Sequence, residues 1–173
     1  MNTSQKAILH VFDERVFGAM RTELDWALRG AAANLAALGL VAYTEFLGGI
    51  VTGDLGRQGS SGSNFRAFLP YLGSDYEDLA RRGVDIYERV RCGLAHEYFI
   101  KGESTIWPQA SASCGIISST NGPTYFIVSI YRDHLFSGAR KLRDEILEDQ
   151  SGSATARARK ALSTVGISIP LQP

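Results

Sequence analysis

A chain of 173 residues, 45% hydrophobic and 21% charged, has the size and make-up of one globular domain that buries its own core. That excludes a disordered chain, a fibrous repeat and a small disulfide scaffold. Eighteen basic residues balance eighteen acidic ones, which excludes a polybasic nucleic-acid binder and leaves room only for a local basic cleft. Arg outnumbers Lys 14 to 4, and Arg is the better bidentate phosphate ligand. The two cysteines, Cys92 and Cys114, form no C-x-x-C pair, so no zinc-site spacing is present. Residues 1–6 do not read as a leader, and the expectation is a cytoplasmic chain with reduced thiols, no cofactor and no membrane association.

In chain order, Val16, Met20, Leu24 and Leu28 recur at four-residue spacing and predict an amphipathic helix. Leu35, Leu38, Val41, Ala42 and Phe46 in an Ala-rich run predict a second, buried helix that Gly48, Gly49 and Gly53 end. The run Ala31–Ile50 carries Asn34, Thr44 and Glu45 and reads as a core helix in preference to a membrane span. Polar, glycine-rich residues 52–63 predict a flexible loop. Phe65, Phe68, Leu69 and Tyr71 predict a short helix stopped by Pro70. Ser74 and Glu77 form a capping-box pattern and predict one long helix to about Phe99, with Leu79, Ile86, Val90 and Leu94 on its buried face. Gly83 and Gly93 in that helix read as points of close packing, and with Ala36 and Ala37 as small residues at a dimer contact. Lys101–Ser113 reads as irregular. Asn121-Gly122 between apolar runs predicts a β-hairpin over about 115–128. A long helix follows over Tyr131–Glu148, then a short basic one over Ala154–Val165 and a loose tail over 166–173. The fold class expected is all-α: one domain over 1–173, a helical bundle with one small β-hairpin inserted before the last long helix.

There is no Walker A, no G-x-S-x-G and no H-E-x-x-H pattern, and His10, His96 and His134 are far apart in sequence. Glu45 is a carboxylate in an apolar helix. Such a group needs a cationic partner, and Arg91 is the one expected. The stretch Arg91–Tyr98 places an Arg, four residues, then a His. RNA brings its own nucleophile, the 2′-hydroxyl. A His near neutrality moves protons, and an Arg answers charge on the phosphoryl oxygens. Residues five apart on an α-helix lie about 140° apart around the axis, so Arg91 and His96 of one chain would not share a face; they converge if the helix ends near His96, or across a two-fold axis with a second copy. The competing structural reading pairs Arg91 with Glu45 or Glu88, sets His96 against the last carbonyls of its helix, and makes Cys92 a small buried residue.

The string Arg91-Cys92-Gly93-Leu94-Ala95-His96-Glu97-Tyr98 is preceded by Ile86-Tyr87 and followed by Lys101-Gly102; Tyr43-Thr44-Glu45-Phe46-Leu47-Gly48 stands earlier, at the end of an Ala-rich helix. Together they resemble the R-x4-H, ribonuclease-like subgroup of HEPN (higher eukaryotes and prokaryotes nucleotide-binding) domains. The resemblance implies a HEPN-like bundle that forms a homodimer with two motifs at one cleft. It implies a metal-independent endoribonuclease of the toxin–antitoxin or phage-defence kind, with RNA as substrate and an antitoxin or other protein as partner. Arg91 and His96 are then the catalytic pair, with Glu45, Cys92, Glu97 and Tyr98 in support. In active members the residue after the Arg is most often polar, and here it is Cys92. The same resemblance therefore also implies an alternative, a non-catalytic dimerisation module that binds nucleotide, RNA or a protein partner.

Overall fold

A computed structural model describes residues 1–97, 101, 104–119 and 122–168. It is a mostly helical bundle with a small sheet. The chain begins with a continuous helical rod made of α1 (Thr3–Val11), a π-helical stretch π1 (Phe12–Met20) and α2 (Arg21–Arg29). Asn2 opens it with a reciprocal cap: its side chain accepts from the Gln5 amide at 2.8 Å, and the Gln5 side chain accepts from the Asn2 amide at 2.9 Å. The Gln5 amide group also donates to the carbonyls of Ile146 and Leu147 at 3.1 and 3.2 Å. The chain's early residues are thereby pinned to the end of the last long helix.

Helix α3 (Ala33–Thr52) is the central element. By length and composition it is apolar enough to cross a membrane; here half of its apolar stretch is buried inside the bundle. Ala36, Ala37, Leu40, Val41, Leu47 and Ile50 are 0–1% exposed, packed by α4 (Ser61–Leu72), α6 (Val128–Glu148) and α7 (Ser153–Thr164). Ala36 and Ala37 thus serve the chain's own core and are not free for a dimer contact. The crossing of α3 and α4 depends on Gly48: a Cβ there would sit 1.7 Å from the Asn64 carbonyl oxygen.

Several boundaries differ from the sequence reading. Helix α4 starts at Ser61 and runs through Pro70 to Leu72. Proline removes one amide donor, but burial of Leu69 and Leu72, each 4% exposed, carries the last turn into the core. The loop before it is short and tied: the Ser60 hydroxyl and the Asn64 side-chain Nδ2 donate to the Asp54 carbonyl, and Lys160 reaches the Asp54 carboxylate at 2.8 Å. The connection is shorter than residues 52–63, because α3 runs to Thr52 and α4 opens at Ser61.

The long helix expected from Ser74 to Phe99 is two elements, α5 (Ser74–Arg81) and a π-helix, π2 (Tyr87–Glu97). Gly73 takes the cap position, and no side chain caps α5. Gly83 breaks the run. It stands at φ +78°, with its amide on the Ala80 carbonyl and the Val84 amide on the Leu79 carbonyl, both at 3.0 Å. This is a Schellman termination, so Gly83 is a helix stop and not a packing contact; nothing lies within 4 Å of where its Cβ would be.

Strands β2 (Ile116–Ser118) and β3 (Thr124–Ile127) pair antiparallel, as the hairpin signal predicts, although Asn121 lies outside the described residues. The segment expected to be irregular supplies a further strand, β1 (Thr105–Trp107), parallel to β3, giving the order β1-β3-β2. Helix α6 then starts at Val128, three residues earlier than expected.

Two outcomes follow from the packing. Gly48→Ala drives a Cβ into the α4 backbone and is expected to cost about 3 kcal/mol or more in urea unfolding. Gly59→Ala, at φ +80° with open space around it, is expected to cost only the backbone term of about 1–2 kcal/mol. Asp149 caps α7 through the Ala154 and Thr155 amides at 2.7 and 3.3 Å. The Ser151 hydroxyl and these amides hold its carboxyl below the ordinary aspartate range. A depressed carboxyl contributes stability above its unfolded value, near 3.9, and loses it as pH falls through the folded value. Asp149→Asn should therefore melt below wild type at pH 7, and the gap should close on acidification below about pH 4.

Candidate active site

Glu45 is the only charged residue of α3. Its Oε2 accepts from Arg91 Nε at 2.8 Å, with the two side chains 18% and 22% exposed. The buried-carboxylate argument thus finds its partner, and α3 is tied to π2 by a mostly buried ion pair. The Arg91 guanidinium carbon lies 5.7 Å from the centre of the Tyr87 ring. From α4, Arg66 stands 5.4 Å from the same ring and pairs with Asp85 at 2.8 Å. Phe65 packs against Tyr87 with ring centres 5.7 Å apart. Two guanidiniums and one aromatic ring therefore gather at the head of the motif helix.

The helix type changes the angular argument. Over Tyr87–Glu97 the backbone follows the π pattern, whose bonds run from i to i+5. Residues five apart then stand on adjoining turns, as residues four apart do in an α-helix. The expectation that Arg91 and His96 face different ways assumed α geometry and does not hold for this helix. His96 is exposed.

The remaining expected site residues have other engagements. Cys92 is half-buried. Burial, first, and the neighbouring Glu88 push its thiol above the ordinary range, which keeps it protonated at neutral pH and a weak nucleophile. Glu97 is an exposed partner of Lys101 at 3.5 Å, and Glu88 holds the same ammonium at 2.5 Å. Tyr98 lies outside the described residues. Two residues that sequence reasoning missed belong here. Arg66 comes from another helix, and no spacing rule reaches it. Arg89 donates to the Ser118 hydroxyl and to the Ser119 and Gly122 carbonyls at 3.2–3.5 Å, fastening the hairpin end to π2.

A cleft of about 300 Å³ lined by Arg66, Val84, Asp85 and Tyr87 borders this cluster. The larger groove, about 730 Å³, lies between α5 and β2 and contains neither Arg91 nor His96; size alone would point away from the motif. Among the described residues no group of three or more His, Cys, Asp or Glu is placed to hold a metal ion. Compared with family models, curated proteins and solved structures, the chain matches none.

The ion pair is open to a direct test. Glu45→Gln and Arg91→Met, alone and combined, form a double-mutant cycle. Each single change should destabilise by about 1–3 kcal/mol, below the range for fully buried pairs because a fifth of each side chain meets solvent. The double variant should recover part of the loss. Additive losses in urea unfolding would mean that the two groups do not interact.

Proposed function

We propose that the chain is a metal-independent endoribonuclease of HEPN type that cuts single-stranded RNA as a homodimer. The observation that carries this reading is the register of π2. It sets Arg91 and His96 on adjoining turns, with His96 in solvent and Arg91 oriented by Glu45. In this reading His96 of one copy takes the proton from the 2′-hydroxyl, and the 2′ oxygen forms a bond to phosphorus. The bond from phosphorus to the 5′ oxygen breaks, and a protonated His96 of the second copy supplies the proton that this oxygen needs. The products are a 2′,3′-cyclic phosphate and a 5′-hydroxyl end. Arg91 balances the charge on the phosphoryl oxygens. The cellular setting of this reading is a cytoplasmic toxin or defence nuclease held in check by a protein partner.

A second copy has an apolar surface available to it. Leu35 is 61% exposed, and the stripe Leu35, Leu38, Ala42 and Phe46 runs along α3 toward Glu45. Trp26 on α2 is 65% exposed. One observation favours the alternative, a binding module without catalysis. The cations of the cluster already carry carboxylate partners: Arg91 with Glu45, Arg66 with Asp85, Lys101 with Glu88. A phosphate must compete with these.

The deciding assay is cleavage of single-stranded RNA with and without EDTA. Wild-type cleavage should persist in EDTA, require the 2′-hydroxyl and leave cyclic phosphate ends. His96→Ala should lower the rate by about 10²–10⁴-fold, and Arg91→Ala by about 10²–10³-fold. Arg91→Lys should restore fold stability through Glu45 without restoring the rate, since an ammonium lacks the planar fork. Equal cleavage by wild type and His96→Ala would sink the enzyme reading. No cleavage by either, with RNA still bound, would establish the binding module.

A further inference from the structure

One face of the small sheet meets solvent at its β1 and β2 edges, while Ile127 on that face is buried. Ile116 and Phe126 point inward and are 1% and 0% exposed. On the other face Thr105, Tyr125 and Ile117 align across the three strands. Trp107, two residues beyond Thr105, is 39% exposed, and Ile117 is 44% exposed. Trp107 and Tyr125 stack with ring centres 4.6 Å apart and planes 30° from parallel. An exposed Trp already stacked on a Tyr presents a rigid, flat, amphipathic surface whose ordering cost is met in the fold.

From this face we infer a binding surface for unpaired nucleobases, one that holds the single strand flanking the cleavage site. The choice of ligand rests on the ribonuclease reading of the motif helix. Position supports it. Arg89 of π2 bonds to Ser118, Ser119 and Gly122, and the Lys101 amide bonds to the Arg89 carbonyl at 3.0 Å. The sheet is thus fixed to the helix that carries Arg91 and His96, with a guanidinium at its turn end. Size supports it as well. Three strands of three or four residues span roughly 150–200 Å². A stable dimer needs about 800 Å² from each partner, so the face is too small to be the main contact with a second copy, and it suits one or two bases. Aromatic stacking accepts any base and requires it to be unpaired, which sets the substrate class as single-stranded.

The test uses the full chain. The protein has two Trp residues, so Trp26→Phe leaves Trp107 as the sole indole. A short 2′-O-methyl single strand, which resists 2′-hydroxyl chemistry, should quench the Trp107 fluorescence on titration, and the matching duplex should not. Trp107→Ala and Tyr125→Ala should each weaken binding of the single strand, read by anisotropy, about tenfold or more, and Trp107→Phe should weaken it less. Single-strand binding by anisotropy without any change in Trp107 emission overturns the inference, as does the absence of binding. Loss of a dimer in sedimentation of folded Trp107→Ala also overturns it, by assigning the face to self-association. Quenching that survives in His96→Ala supports it whether or not wild type cuts RNA, so failure of the cleavage reading and failure of this surface are separate results.

Discussion

A single carboxylate on an otherwise uncharged helix of twenty residues constrains much of what surrounds it. Helix α3 is apolar on nearly every side; α4, α6 and α7 bury about half of its apolar stretch, and Leu35 stays exposed. Glu45 cannot be enclosed by apolar atoms without losing its charge. It therefore requires a cation from whichever element covers that stretch, and Arg91 of π2 supplies it at 2.8 Å. The pair and the buried Val90 and Leu94 together fix the rotation of π2 against the bundle. From that rotation follow the position of Tyr87 under two guanidiniums, the exposure of His96, and the seat of the sheet that Arg89 fastens to the same helix. The candidate chemistry is located by an electrostatic need of the core.

That need is why part of the site was legible in the sequence. A charge in an apolar run announces a cationic partner, and the Arg-x4-His stretch offers Arg91. Apolar periodicity likewise marks α3 and the long helix after the sheet, and Asn121-Gly122 marks the pairing of β2 with β3. What was not legible depends on the backbone more than on side-chain pattern. The capping-box spelling at Ser74 and Glu77 is a local signal, and the helix it seemed to open is ended by a glycine whose left-handed conformation no periodicity reveals. Strand β1 has three residues and pairs with a partner about twenty positions on, too short to register as alternation. The π geometry of residues 87–97 leaves no compositional trace, yet it decides which way His96 faces.

In the proposed ribonuclease reading Arg91 would have two duties, one structural through Glu45 and one toward phosphate. The contact that orients it also competes for it, since a phosphate approaching the guanidinium meets Glu45 as a rival anion. Nε is taken by Glu45, while an Arg has further N–H donors on its terminal nitrogens. An arginine anchored through Nε and presenting its terminal nitrogens loses less rotational freedom on binding an anion than a free one does. The neutral charge balance of the cluster makes any affinity for nucleic acid local and geometric, with stacking carrying a larger share than long-range attraction.

The hydrogen bonds from Gln5 to the carbonyls of Ile146 and Leu147 bear on the order in which the molecule assembles. Helical bundles with mostly local contacts fold fast, because few loops close before contacts reward them. Here α1 docks against α7 and the end of α6 as well as its own neighbour π1, and Gln5 bonds to carbonyls 141 and 142 positions later. During synthesis α1 completes this packing only after both α6 and α7 have emerged. The docking of α1 is therefore a contact of high sequence separation, the kind whose loop-closure cost slows an otherwise fast helical fold.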